Sequence, residues 1–271
     1  MSLIETNELE KILDRVKIID CSWHMPQTNR SGNEEYRNQH IPNSIFFDLD
    51  KNSQKETNLP HMLVDIKEWE EIVSNMGISN DDQIVIYDNS DVISSCRCWY
   101  NFIYYGHNPK LIKVLNGGLK KWIGENREIN NELPKITKSN YKAKEFKNLV
   151  KDKNQINENI IKKEFRLVDA RSIERFNGEV KEPRAGLRSG NIENSICIPF
   201  SCLINTDKTF KSVKEIKEIF SENLSNLSSN NVVFSCGSGV TACVLALAYS
   251  LINDNYLPII YDGSWSEYGQ T

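Results

Sequence analysis

No run of apolar residues in this 271-residue chain is long enough to cross a bilayer, and none near the N-terminus forms the apolar stretch of a signal peptide. Met1 to Asp20 instead mixes Glu5, Glu8, Glu10, Lys11, Asp14 and Arg15 into a helical pattern. A strong charge of one sign is missing too. At a net charge of -4 there is no basic stripe for a phosphate backbone and no polybasic cluster for anionic lipid, which argues against nucleic acid and membrane surfaces as partners. The seven cysteines, Cys21, Cys96, Cys98, Cys197, Cys202, Cys236 and Cys243, form no regular framework. An odd set in a chain of this size points to free thiols in a reducing compartment, the cytoplasm. Cys96 and Cys98 lack a second ligand pair and read as structural; neither a metal nor an organic cofactor is implied.

What the chain has is repetition. Its length suits two domains, and the same signals recur at offsets of 146 to 151 residues. The apolar run ending at Asp20 is answered by the one ending at Asp169, His40 to Phe47 by Asn191 to Phe200, Ile84 to Asp88 by Val232 to Cys236, and Asn116-Gly117-Gly118 by Asp262-Gly263-Ser264. The apolar runs read as buried strands. Helical spacing lies between them: Ile66, Trp69 and Val73 follow Asp65-Ile66-Lys67-Glu68, and Val213, Ile216 and Phe220 follow Ser212-Val213-Lys214-Glu215, both of capping-box form. Alternating strands and helices predict an α/β fold: two tandem domains, each a mostly parallel sheet flanked by helices. Residues 1–130 form the expected first domain, 131–158 a lysine- and asparagine-rich linker, and 159–271 the second domain.

The chemistry concentrates at the end of one strand. Val232-Val233-Phe234-Ser235 runs into Cys236-Gly237-Ser238-Gly239-Val240-Thr241 and then into an almost wholly apolar helical stretch. Gly237 and Gly239 allow backbone angles closed to other residues, so successive N–H groups can curl around one point. Such a cradle and the positive end of the following helix both favour a reactive thiolate on Cys236, and both suit a persulfide. The alternative is a buried core thiol, which has no need of flanking glycines at a strand-to-helix turn. A cysteine-dependent phosphatase would carry arginine six positions on, where Ala242 stands. A dinucleotide loop would need a third glycine. In the first half the matching position is Asp88, followed by Asn89-Ser90-Asp91, so no thiolate chemistry is available there.

Ile41-Pro42, Phe46-Phe47-Asp48-Leu49-Asp50, His61-Met62-Leu63, Asn116-Gly117-Gly118-Leu119, Arg175-Phe176-Asn177-Gly178, Glu182-Pro183-Arg184 and the cysteine loop together resemble the tandem-rhodanese sulfurtransferases over nearly the whole chain. The uncharged loop resembles that of members using 3-mercaptopyruvate, whereas thiosulfate-using members carry Arg-Lys in place of Gly237-Ser238. The resemblance implies a catalytically inactive first domain and a sulfur donor held by Arg175 and Arg184. It also implies a cradle made by Gly237, Gly239, Val240 and Thr241, and a proton-handling set of Ser238, His61 and Asp50 with Cys236. His61 departs from the usual pattern, which has an acid before the histidine. The implied partners are a small-molecule sulfur donor and a thiol acceptor, either a thioredoxin-like protein or a small thiol. A thiosulfate donor, or a non-catalytic persulfide carrier, is the competing reading. Asp262-Gly263-Ser264-Trp265 reads as a turn. The chain stops at Thr271, earlier than many members, which is expected to widen the site or alter acceptor choice.

Overall fold

The computed structural model describes residues 2–227 and 230–271. Two compact units result. The first takes the chain up to Gln54, then Leu63–Phe146 and Thr206–Thr209; the second takes Lys55–Met62, Lys147–Asn205 and Phe210–Thr271. Each half of the chain therefore lends a short segment to the other half's unit.

The first unit holds strands β1 (Leu3–Ile4), β2 (Lys17–Asp20), β3 (Ser44–Phe46), β4 (Ile84–Tyr87) and β5 (Ile112–Leu115). They form a parallel sheet in the order β1-β5-β4-β2-β3. The second unit holds β6 (Val150–Lys151), β7 (Arg166–Asp169), β8 (Ile196–Cys197), β9 (Val232–Ser235) and β10 (Ile260–Tyr261), in the order β6-β10-β9-β7-β8 and again parallel. The two orders correspond strand for strand, so the repeat seen in the sequence is a repeat of topology. Helices cover a parallel sheet on both faces, so its central strands lose their alternation. Accordingly, every residue of β4 and β9 is buried.

The helices follow their sequence signals. Helix Val213–Asn223 starts in a reciprocal capping box between Ser212 and Glu215 and buries Ile216 and Phe220. Asp65 caps helix Ile66–Asn75 by accepting from the N–H groups of Lys67 and Glu68. Helix Ala242–Ser250 is buried from Ala242 through Tyr249, so its apolar character all round reflects packing on all sides. Phe234 on β9 packs against Phe220, Tyr249 and Tyr256 with ring centroids 5.9 to 6.2 Å apart. That aromatic cluster lies two residues before Cys236 and gives its loop a stiff base.

The segment 131–158, expected as a linker, carries ordered contacts and secondary structure. Its first part is bound along the first unit: Ser139 N–H donates to Ser74 O, Lys144 N–H to Tyr105 O and Phe146 N–H to Tyr104 O, and Tyr141 is fully buried. Its last part forms β6 and opens helix Lys153–Lys162. The helix buries only Ile156 and Asn159. So narrow an apolar stripe leaves almost no periodicity to read among lysines and asparagines.

Candidate active site

Cys236 stands one residue past β9 and is 2% exposed. The loop reaches helix Ala242–Ser250 through Gly239, whose φ of 75° is the left-handed conformation that glycine adopts without cost. Gly237 does not use a positive φ; it is needed for close approach. A β-carbon added there would lie 3.2 Å from Arg175 Nη2 and 3.8 Å from Arg184 Nη1. The two arginines named from the sequence therefore converge over the residue next to Cys236. Among the described residues nothing accepts from the backbone N–H groups of Ser238, Val240 and Thr241, which remain available to an anion. Val240 is buried, and Thr241 is the half-buried residue at the helix start.

Ser238 is buried, and its Oγ lies 3.1 Å from Nδ1 of His61; the same nitrogen lies 3.3 Å from Ser238 O. His61 belongs to the segment Lys55–Met62 that packs with the second unit, and it takes a φ of 62° there. A left-handed histidine is uncommon and costs on the order of 1–3 kcal/mol, which the surrounding contacts must hold in place. Asp50 lies in the first unit, exposed, and accepts from Trp23 Nε1 on both carboxylate oxygens at 3.0 Å.

Residues to which the sequence assigned no role hold the loop. Asp262 to Trp265, read as a turn, instead leads into the short helix Ser264–Tyr268. Trp265 N–H donates to Cys236 O at 2.9 Å, and Ser266 donates to Gly237 O from both its N–H and its Oγ. Ser264 Oγ accepts from Cys236 N–H at 3.2 Å and donates to Tyr261 O. Trp265 is fully buried, and the Arg171 guanidinium lies 4.4 Å from its ring centroid. Burial disfavours the charge on Arg171, yet the Asp169 and Glu182 carboxylates outweigh that and raise its pKa. Glu182 in turn binds Arg175, with Nη2 2.5 Å from Oε2 and Nε 3.2 Å from Oε1. The Glu182-Pro183-Arg184 triplet was the signal for this carboxylate, but only the fold reveals its partner.

The first unit fills the same place differently. Asp88 stands one residue past β4 and accepts from Ser90 N–H and Ser95 N–H, both at 2.8 Å. Its carboxyl group sits at the N-terminus of helix Ser95–Tyr104. Burial raises its pKa, and those hydrogen bonds oppose the shift. Cys96 and Cys98 are fully buried in that helix, as packing residues are. Among the described residues no cluster of three or more His, Cys, Asp or Glu is placed to hold a metal ion, and no helix is long and apolar enough to cross a membrane.

Residues 5–125 and 142–271 each match the family described as rhodanese-like domain. The chain is 35% identical over 274 residues to thiosulfate/3-mercaptopyruvate sulfurtransferase 1, mitochondrial, of Arabidopsis thaliana, covering 93% of this chain and 71% of that protein. It is 34% identical over 255 residues to the 3-mercaptopyruvate sulfurtransferase of Mus musculus, covering 93% and 84%. Among solved structures, the 3-mercaptopyruvate sulfotransferase SseA from Escherichia coli matches with a TM-score of 0.85 at 27% identity, covering 98% of this chain and 100% of that one. The chain therefore belongs to the rhodanese family, is built of two rhodanese-like domains, and is an enzyme of the sulfurtransferase class.

Proposed function

We propose that this sulfurtransferase takes sulfur from 3-mercaptopyruvate, carries it as a persulfide on Cys236 and passes it to a thiol. The convergence of Arg175 and Arg184 over Gly237, beside a buried cysteine in an otherwise uncharged loop, carries the reading. In the first step the Cys236 thiolate attacks the donor's sulfur. An S–S bond forms, the C–S bond breaks, and its electron pair leaves on the enolate of pyruvate. Arg175 and Arg184 hold the carboxylate and the keto oxygen of the donor and keep hold of them as the pyruvate enolate leaves. Ser238 and His61, in hydrogen-bond contact, form the proton path to the enolate carbon. Asp50 is assigned to the same set on the resemblance alone. The N–H groups of Ser238, Val240 and Thr241 hold the persulfide. In the second step an acceptor thiolate, from a thioredoxin-like protein or a small thiol, attacks the outer sulfur and regenerates the Cys236 thiolate.

The first domain, with Asp88 in place of the cysteine, is proposed as catalytically inactive. Seven free thiols support a reducing, cytoplasmic setting. Steady-state kinetics with 3-mercaptopyruvate and thiosulfate side by side test donor choice, and the expected result is a higher kcat/KM for 3-mercaptopyruvate. Mass spectrometry after donor treatment is expected to find one added sulfur on the Cys236 peptide and none in a Cys236→Ser variant. A labelled Cys96 or Cys98 peptide in its place would move the chemistry to the first domain.

A further inference from the structure

Arg175 is long and flexible, with 21% of its side chain exposed, so something must fix its plane before it can orient a donor. Glu182 does this with both carboxylate oxygens, taking Nε and Nη2 of Arg175 while Nη1 has no partner among the described residues. The Glu182 side chain is 1% exposed, and a carboxylate so buried needs a second cation. Arg171 supplies it from a side chain that is also 1% exposed: Nη1 lies 2.8 Å from Glu182 Oε1, while Nε and Nη2 hold Asp169. Charges alternate from Asp169 to Arg175. Arg171 also donates to Gly190 O at 2.8 Å. Gly190 and Gly178 close the base of the loop that carries Glu182 and Arg184: a β-carbon on Gly178 would meet Gly190 N at 3.2 Å. Through Trp265 the same Arg171 rests against the residue that binds Cys236 O.

The fold by itself does not require this arginine. In the first unit the corresponding strand ends in Asp20, and Ser22 stands where Arg171 would be. Its N–H donates to Asp20 Oδ1 at 2.9 Å, and the sheet forms there in the same order. Two residues past that strand the second unit carries arginine and the first unit serine.

We propose that Arg171 and Glu182 are positioning residues of the donor site, holding the side chain of Arg175 in place beside the cysteine loop. This rests on Arg175 being a ligand of the donor. A double-mutant cycle tests it, with KM and kcat for 3-mercaptopyruvate measured in Glu182→Gln, Arg175→Ala and the double variant. Glu182→Gln is expected to raise KM on the order of 10- to 100-fold, the scale of misplacing a positioning group, with a smaller change in kcat. In the Arg175→Ala background it is expected to add little. Arg171→Lys keeps the charge but not the fork, and is expected to shift KM in the same direction if Glu182→Gln fails to fold. Independent, multiplying effects of Glu182→Gln and Arg175→Ala, or an unchanged KM in both Glu182→Gln and Arg171→Lys, would overturn the inference while leaving Arg175 a ligand. Unchanged kinetics in Arg175→Ala would remove the ligand role itself, and the inference with it.

Discussion

Gly118 and Ser264 occupy matching places in the two repeats, with φ of 55° and 48°, and the residue after each donates its N–H at 2.9 Å to the carbonyl of Asp88 or Cys236. A β-carbon on Gly118 would collide with Asp88 O at 2.4 Å. The second repeat instead places serine in the left-handed conformation and uses its hydroxyl to accept from Cys236 N–H. Ser264→Ala keeps the strain and leaves that buried N–H unpaired, a loss of about 1–3 kcal/mol. Ser264→Gly loses the same bond but relieves the backbone, so it is expected to melt at a higher temperature than Ser264→Ala. Both are expected to slow persulfide formation. Equal melting temperatures would show that the φ at this position carries no cost.

Replacing Gly237-Ser238 with Arg-Lys is expected to shift donor preference toward thiosulfate. Two cations beside Cys236 attract a dianion and stabilise departing sulfite, and a tenfold change in relative kcat/KM needs only about 1.4 kcal/mol. Gly237 has no positive φ to preserve, so the strain falls on Arg175, whose Nη2 must move away from the new side chain. A folded variant that forms persulfide with an unchanged donor ratio would falsify the role given to loop charge.

His61→Ala removes the partner 3.1 Å from Ser238 Oγ. Because an enolate needs a proton and sulfite does not, kcat with 3-mercaptopyruvate is expected to fall about 10²-fold or more, with thiosulfate turnover affected less. Parallel losses with both donors would make His61 a support for the loop and nothing more.

Asp20, fully buried in the first unit, has its pKa raised from 3.8 to about 7, chiefly by desolvation, with Ser22 hydrogen bonds opposing the shift. Its neutral form is the one the fold favours. The stability it contributes is present below about pH 4 and is lost as pH rises through 7. At 1.36 kcal/mol per pKa unit, the whole shift amounts to about 4 kcal/mol. Asp20→Asn is therefore expected to raise the melting temperature at pH 8 and to change it little at pH 4. A wild type no less stable at pH 8 than at pH 5, with an Asn variant that tracks it, would contradict this.

Local pattern alone determined the repeated α/β order, the capped helices and the cysteine at a strand-to-loop junction. Periodicity, capping and glycine placement act over a few residues and survive in any context. The strings around Arg175 and Arg184 carried a family resemblance, and taken alone they assigned those arginines no role. Only the tertiary structure brought His61 to Ser238, 177 residues away, by packing Lys55–Met62 into the second unit. It alone joined Glu182 to both Arg171 and Arg175, and turned Ser264 and Trp265 from a turn into a clamp on Cys236. Side-chain partners of this kind depend on where strands far apart in sequence come to lie side by side, and no local propensity encodes that.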